Sequence, residues 1–74
     1  MIDALSIDVL ILGGDRSPPR TVKLRRGAQL RELLIGLGLH AEGSAVWWNG
    51  EPVPMDFTPP GPGTLEIVST FSGG

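Results

Sequence analysis

The sequence predicts an α+β fold, a mixed sheet of four to five strands packed on one α-helix. Three observations predict it. Two alternating apolar runs near the start are separated by a turn-rich segment. One stretch after them changes to helical period, and two further extended runs follow it. With 74 residues the chain is too short for two cores. A domain of this size buries only about 60% of its unfolded surface. One domain over residues 1–74 is therefore expected, with a flexible C-terminal tail at 71–74.

The first run, SIDVLIL at 6–12, puts Ile7, Val9 and Ile11 on one side of an extended chain, with β-branched residues that suit a strand. GGDRSPP at 13–19 combines glycines, an aspartate and prolines, which favour turns and interrupt strands. TVKLR at 21–25 alternates again, with Val22 and Leu24 together, so the two runs read as a hairpin. From Ala28 onward, Leu30, Leu33, Leu34 and Leu37 recur at i, i+3, i+4 and i+7, one stripe of a helix. Gly36 and Gly38 mark its exit. AVWW at 45–48 returns to extended character and Asn49-Gly50 supplies a turn, after which Val53 pairs briefly. PMDFTPPGPG at 54–63 reads as a loop, and its Pro/Gly-rich stretch at 59–63 as a surface loop and not an interdomain linker, since the eleven residues after it are too few for a second domain. The last strand is TLEIVSTF, with Leu65 and Ile67 on one side and Glu66 and Val68 on the other. A topology consistent with this order is the β-grasp, in which a mixed sheet wraps the helix and the final strand lies beside the first.

Composition narrows function. There are no cysteines, which removes disulfides, thiolate metal sites and a cysteine nucleophile. The formal net charge is −2, and the six Lys and Arg residues are spread between Arg16 and Arg31 without the dense stripe that tracks phosphates. Nucleic acid is not an expected partner. The longest apolar run, Val9 to Leu12, is far short of a membrane span, and the start lacks the basic residues of a signal peptide. A soluble, cytoplasmic protein is the expectation. No carboxylate pair stands beside a candidate acid or base, so no autonomous enzyme is visible, and neither a metal nor a cofactor is implied.

The chain given closes on TLEIVSTFSGG, and this is where chemistry is expected. A carboxylate is a poor electrophile, because resonance spreads its charge over two oxygens, and it needs activation, for example as an acyl-adenylate. To reach an activating enzyme's catalytic centre it must thread a narrow channel, and glycine combines the absence of Cβ with wide backbone freedom. Two glycines after an anchored strand make an arm with its reactive atom at the tip. The plain alternatives are a frayed end, a truncation or a cloning scar.

VWWNGEPVP at 46–54 resembles the strand-turn-strand of the ThiS and MoaD sulfur-carrier families, where an apolar strand runs into Asn-Gly-Glu and then Val-Pro. TLEIVSTFSGG also resembles, by residue class and without a gap, the closing strand and tail of ubiquitin. The resemblance implies a ubiquitin-like β-grasp and a shared chemistry. An E1-like adenylating enzyme (ThiF/MoeB-like) would activate Gly74, and sulfur relayed from a cysteine desulfurase would displace AMP. The product, a C-terminal thiocarboxylate, would donate sulfur to an accepting synthase such as thiazole synthase. Thiamine thiazole synthesis, or a related route such as molybdopterin synthesis or tRNA thiolation, is the implied setting. By position, Gly74 is then the reactive residue, Gly73 the residue that lets it pass, and Phe71 and Ser72 the arm that leads into the partner. Such a protein is a co-substrate, not an enzyme. Two alternatives stay open: a ubiquitin-like modifier joined to lysines through Gly74, and a non-catalytic β-grasp interaction module with an inert tail.

Trp47 and Trp48 are neighbours on a strand and cannot both face the core. Val46 and Trp48 are expected inside and Trp47 outside, either shielded by a neighbouring strand or forming with Val68 an exposed apolar patch for the activating enzyme. His40, the only histidine, reads as a solvated loop residue. Gly13 and Gly14 read as a hairpin turn, because no Gly-Lys-Ser/Thr follows to hold phosphate. Lys23, Arg25, Arg26 and Arg31 are either a solvated face or a surface that steers an acidic partner.

Overall fold

A computed structural model describes residues 3–12 and 18–69, with the Ser69 side chain left aside. The expected turn at Gly13 and Gly14 lies outside them. So does the arm Phe71, Ser72, Gly73 and Gly74. The elements run β1 (Ala4–Leu12), β2 (Arg20–Arg25), α1 (Leu30–Gly36), β3 (Ser44–Trp48), β4 (Glu51–Val53) and β5 (Gly63–Ser69). They form one five-stranded sheet in the order β2-β1-β5-β3-β4. Only the β1–β5 pairing is parallel. The closing strand therefore lies beside the first and in the middle of the sheet, as the β-grasp expectation requires.

Alternation along each strand decides what is buried. Leu5, Ile7 and Val9 of β1 point to the helix side, where the register sets Val9 beside Leu65 and Ile11 beside Ile67. Across β5, Val46 pairs with Ile67 and Trp48 with Leu65. The helix contributes Leu30, Leu33 and Leu34, and no polar side chain among the described residues is buried with them. Each fully buried aliphatic side chain contributes about 1.5–3 kcal/mol relative to exposure. Trp48 fits because Gly63 lies beneath it. A Cβ at Gly63 would stand 2.8 Å from Trp48 Cη2 and 2.9 Å from Asn49 Oδ1, closer than real Cβ atoms approach. Its ring also meets Phe57, centroids 6.0 Å apart and tilted by 45°.

The start of the helix is revised, and the loop after β4 gains a role. The helix begins at Leu30, not Ala28, and spans 7 residues, too few to be stable alone. Gln29 makes no side-chain cap; instead the Leu30 and Arg31 N–H groups donate to the Phe57 and Met55 carbonyls, at 3.0 and 2.9 Å. The prolyl segment expected to be a surface loop thus closes the helix start with its backbone. It also packs Met55 and Phe57 against the core and buries Pro59. At the other end Gly38, with φ +79°, donates to Ile35 O and Leu39 donates to Leu34 O, the paired bonds of a glycine-terminated helix.

The hairpin of β3 and β4 follows its turn residues. Asn49 (φ 50°) and Gly50 (φ 86°) both occupy the left-handed region, which a two-residue hairpin turn requires. Asn49 is bonded to Thr64 twice: its N–H donates to Thr64 O, and its Oδ1 accepts from Thr64 N–H, both at 2.9 Å. The turn is thereby tied to the start of β5. No helix among the described residues is long and apolar enough to cross a membrane.

Candidate functional site

The face of the sheet turned away from α1 is built by the residues that alternation leaves out of the core, and its register sorts them into polar and apolar halves. At one end, Ser6 and Asp8 of β1 stand beside Lys23 and Thr21 of β2. Lys23 Nζ donates to Ser6 Oγ at 2.6 Å and Thr21 Oγ1 to Asp8 Oδ1 at 2.9 Å, so this end is bonded to itself.

Toward the other end the same face turns apolar. One row runs Leu10, Glu66, Trp47, Pro52, and the next runs Leu12, Val68, Ala45. The expected pairing of Trp47 with Val68 on one face is found, with Val68 one row beyond Glu66, the residue opposite Trp47. Both are half-buried, as in the shielded one of the two expected alternatives, while Leu12, 43% exposed, and the exposed Ala45 and Pro52 lie more open on the same face. Neighbouring strands cover a good part of any side chain in the middle of a sheet.

Leu10, Leu12, Ala45, Pro52 and Glu66 belong to this face and were not singled out from the sequence. A signal for the first two was available. VLIL at 9–12 is apolar on both alternating sets, so a strand there must show apolar side chains on two faces. Glu66 stands alone in its row as a carboxylate between Leu10 and Trp47.

The central strand carries this face toward the arm. β5 is held by β1 on one side and β3 on the other, and its described part ends at Ser69, next to Val68. The sequence-predicted reactive residues Gly73 and Gly74, and Phe71 and Ser72 before them, follow it and lie outside the described residues. Elsewhere, His40 is exposed beside a depression of about 600 Å³ lined by Arg31, Ile35, Leu39, Glu42 and Met55. Its carbonyl accepts a 2.7 Å bond from Ser44 Oγ. Among the described residues no group of three His, Cys, Asp or Glu is placed to hold a metal.

No protein-family model matches the sequence, and no curated protein does. Among solved structures the chain is similar to ubiquitin of Caldiarchaeum subterraneum, with a TM-score of 0.68 and 11% sequence identity. The match covers 96% of this chain and 99% of the other. At that identity the likeness shows the fold: a ubiquitin-like β-grasp, a mixed five-stranded sheet with one helix.

Proposed function

We propose that this protein is a sulfur carrier whose Gly74 carboxylate is activated by an E1-like enzyme that docks on the apolar half of the outer sheet face. The observation that carries the reading is the continuity of that face with the strand leading to the arm. Val68 lies on the face, and the chain passes from it through Ser69 toward Gly73 and Gly74. A partner seated on Leu10, Leu12, Trp47 and Val68 receives the arm from a strand paired on both sides, so the tip is delivered by an anchored element.

In this reading the Gly74 carboxylate attacks the α-phosphorus of ATP and pyrophosphate leaves, giving an acyl-adenylate. The terminal sulfur of a persulfide formed by a cysteine desulfurase then attacks the acyl carbon and expels AMP, and a second thiol reduces the resulting acyl disulfide, itself becoming part of a disulfide and leaving a thiocarboxylate for an accepting synthase. No cysteine is needed in this chain, because the sulfur rides on the carboxyl group. The reading requires Gly74 to carry the free carboxylate in the cell, as encoded or after trimming. The second reading, a modifier joined to lysines through Gly74, uses the same activated terminus, and the structural neighbour bears the name ubiquitin.

Intact-mass spectrometry of the protein co-expressed with its E1-like enzyme and a cysteine desulfurase separates the readings. Exchange of one terminal oxygen for sulfur is the expected result. Lysine adducts ending in Gly74 would transfer the assignment to the modifier. Neither product, with no phenotype on deleting Gly73 and Gly74, would leave an interaction module.

A further inference from the structure

Among the described residues, the apolar half of the outer face carries a single charge. Glu66 is half-buried on β5, with Leu10 of β1 beside it, Trp47 of β3 opposite it, and Thr64 and Val68 flanking it along its own strand. Its carboxylate makes no hydrogen bond or ion pair with any described residue. The described cations stand elsewhere. Lys23 is bonded to Ser6, four residues from Leu10 along β1 and so about 13 Å away at the rise of a strand. Arg25 and Arg26 are paired with Glu32 and Asp3. Arg20, in register with Val9, belongs to the core side of β2, and Arg31 is on α1. The sequence after Val68, STFSGG, contains no cation either.

A carboxylate so placed is stable while water reaches it. Any partner that covers Leu10, Trp47 and Val68 removes that water, and a carboxylate buried without a counter-charge is strongly unfavourable. The surface that docks here must therefore bring a cation with it. A second copy of this chain does not, because two such faces together would put two uncompensated carboxylates into one apolar interface.

Geometry narrows the cation. Trp47 and Glu66 are directly opposite in an antiparallel pair, where Cβ atoms lie about 5 Å apart. A cation resting on the Trp47 indole is then within reach of the Glu66 carboxylate. A guanidinium suits both at once: it is flat enough to stack on the ring, and its fork of N–H donors matches two carboxylate oxygens. An ammonium is compact and more strongly hydrated, and loses more on leaving water. We infer that the protein docking on this face presents an arginine, set among apolar side chains, whose guanidinium stacks on Trp47 and donates two hydrogen bonds to Glu66. The inference rests on the carrier reading for the identity of that partner, the E1-like enzyme, and adds the residue the enzyme must bring.

Glu66→Gln keeps the shape and removes the charge, so the sign of its effect decides. With an arginine on the enzyme, calorimetric titration should show affinity falling at least about tenfold, while an unchanged urea midpoint shows that the fold is kept. Without one, the variant should bind as well as the parent or more tightly, because a desolvation cost has been removed, and either result overturns the inference. A second arm needs no enzyme. The full chain, labelled with nitrogen-15, is titrated to millimolar concentration with acetyl-Leu-Arg-Leu-amide and with the same peptide carrying citrulline, which has the shape of arginine without its charge. The arginine peptide should shift Leu10, Glu66, Val68 and the Trp47 indole N–H. The citrulline peptide should bind at least about fivefold more weakly, and Glu66→Gln should erase that difference. No binding of the arginine peptide, equal binding of the two, or shifts centred away from Glu66 would each overturn the inference. Binding of the arginine peptide as expected, with no thiocarboxylate formed by the enzyme, would strike the carrier reading alone and leave the arginine site standing.

Discussion

Trp47 and Trp48 are adjacent on one strand and chemically identical, yet they belong to different parts of the molecule. Trp48 is 7% exposed, stacked over Gly63 and tilted against Phe57 inside the core. Trp47 is half-buried on the outer face, with Glu66 on one side and Pro52 on the other. The strand's alternation separates them, and the single helix decides which face becomes core. An aromatic ring on the inner face stabilises the fold, whereas on the outer face it is available to a partner at little cost to folding.

That contrast can be broken most severely from the inside. Trp48→Ala leaves a cavity between β3, β5 and the 54–62 loop, and is expected to cost about 3–5 kcal/mol, read as a shift of the urea unfolding midpoint. Because Phe57 packs on Trp48 while its carbonyl holds the helix start, the loss should reach the helix as well. A midpoint within error of the parent would refute the placement of Trp48 in the core.

A smaller effect comes from filling the space that Trp48 occupies. Gly63→Ala puts a methyl where the indole lies, and the ring cannot swing aside without leaving Leu65 and Phe57. About 1–3 kcal/mol of destabilisation is expected by the same measurement. Adding Trp48→Phe, a smaller ring, should recover part of it, and its failure to do so would mean that the contact is not what limits the site.

The smallest stability effect and the sharpest functional one should coincide in Trp47→Ala. Loss of half-buried apolar area costs about 1 kcal/mol or less, whereas affinity for the E1-like enzyme should fall at least about tenfold if Trp47 anchors that interface. Calorimetric titration against the enzyme checks both halves when run beside the unfolding curve. Unchanged affinity would remove the outer face from the proposed function.

Much of the fold was legible because its signals are local. The leucine stripe of α1, the alternation of β1 and β2, and Asn49-Gly50 each act within a few residues. The assignment of Trp48 inward and Trp47 outward needed only the period of a strand and the company of Val46. The prolyl segment was legible as a loop, but its hold on the helix was not, for a physical reason. Nothing in PMDFTPPGPG tells that the Met55 and Phe57 carbonyls will meet the first N–H groups of α1, because that bond joins segments more than twenty positions apart. The outer face was half legible: Trp47 and Val68 stood out as apolar residues on the outward set, but Glu66 became their neighbour only through the register of β5 with β3. The reactive role proposed for Gly73 and Gly74 rests on composition and resemblance alone, and these residues lie outside the described ones.

The sequence by itself determined the order of elements, the side of each strand that is apolar, and a basic stretch at 20–26 free of acids. Those properties are set by neighbours along the chain, through backbone geometry and the alternation of side chains. Only the tertiary structure decided that β5 lies between β1 and β3, that Glu66 stands between Leu10 and Trp47, and that a loop finishes the helix. Each of those outcomes depends on bringing distant segments together, and the free energy that selects them comes from burying Ile7, Leu34, Leu65 and Ile67 in one shared core.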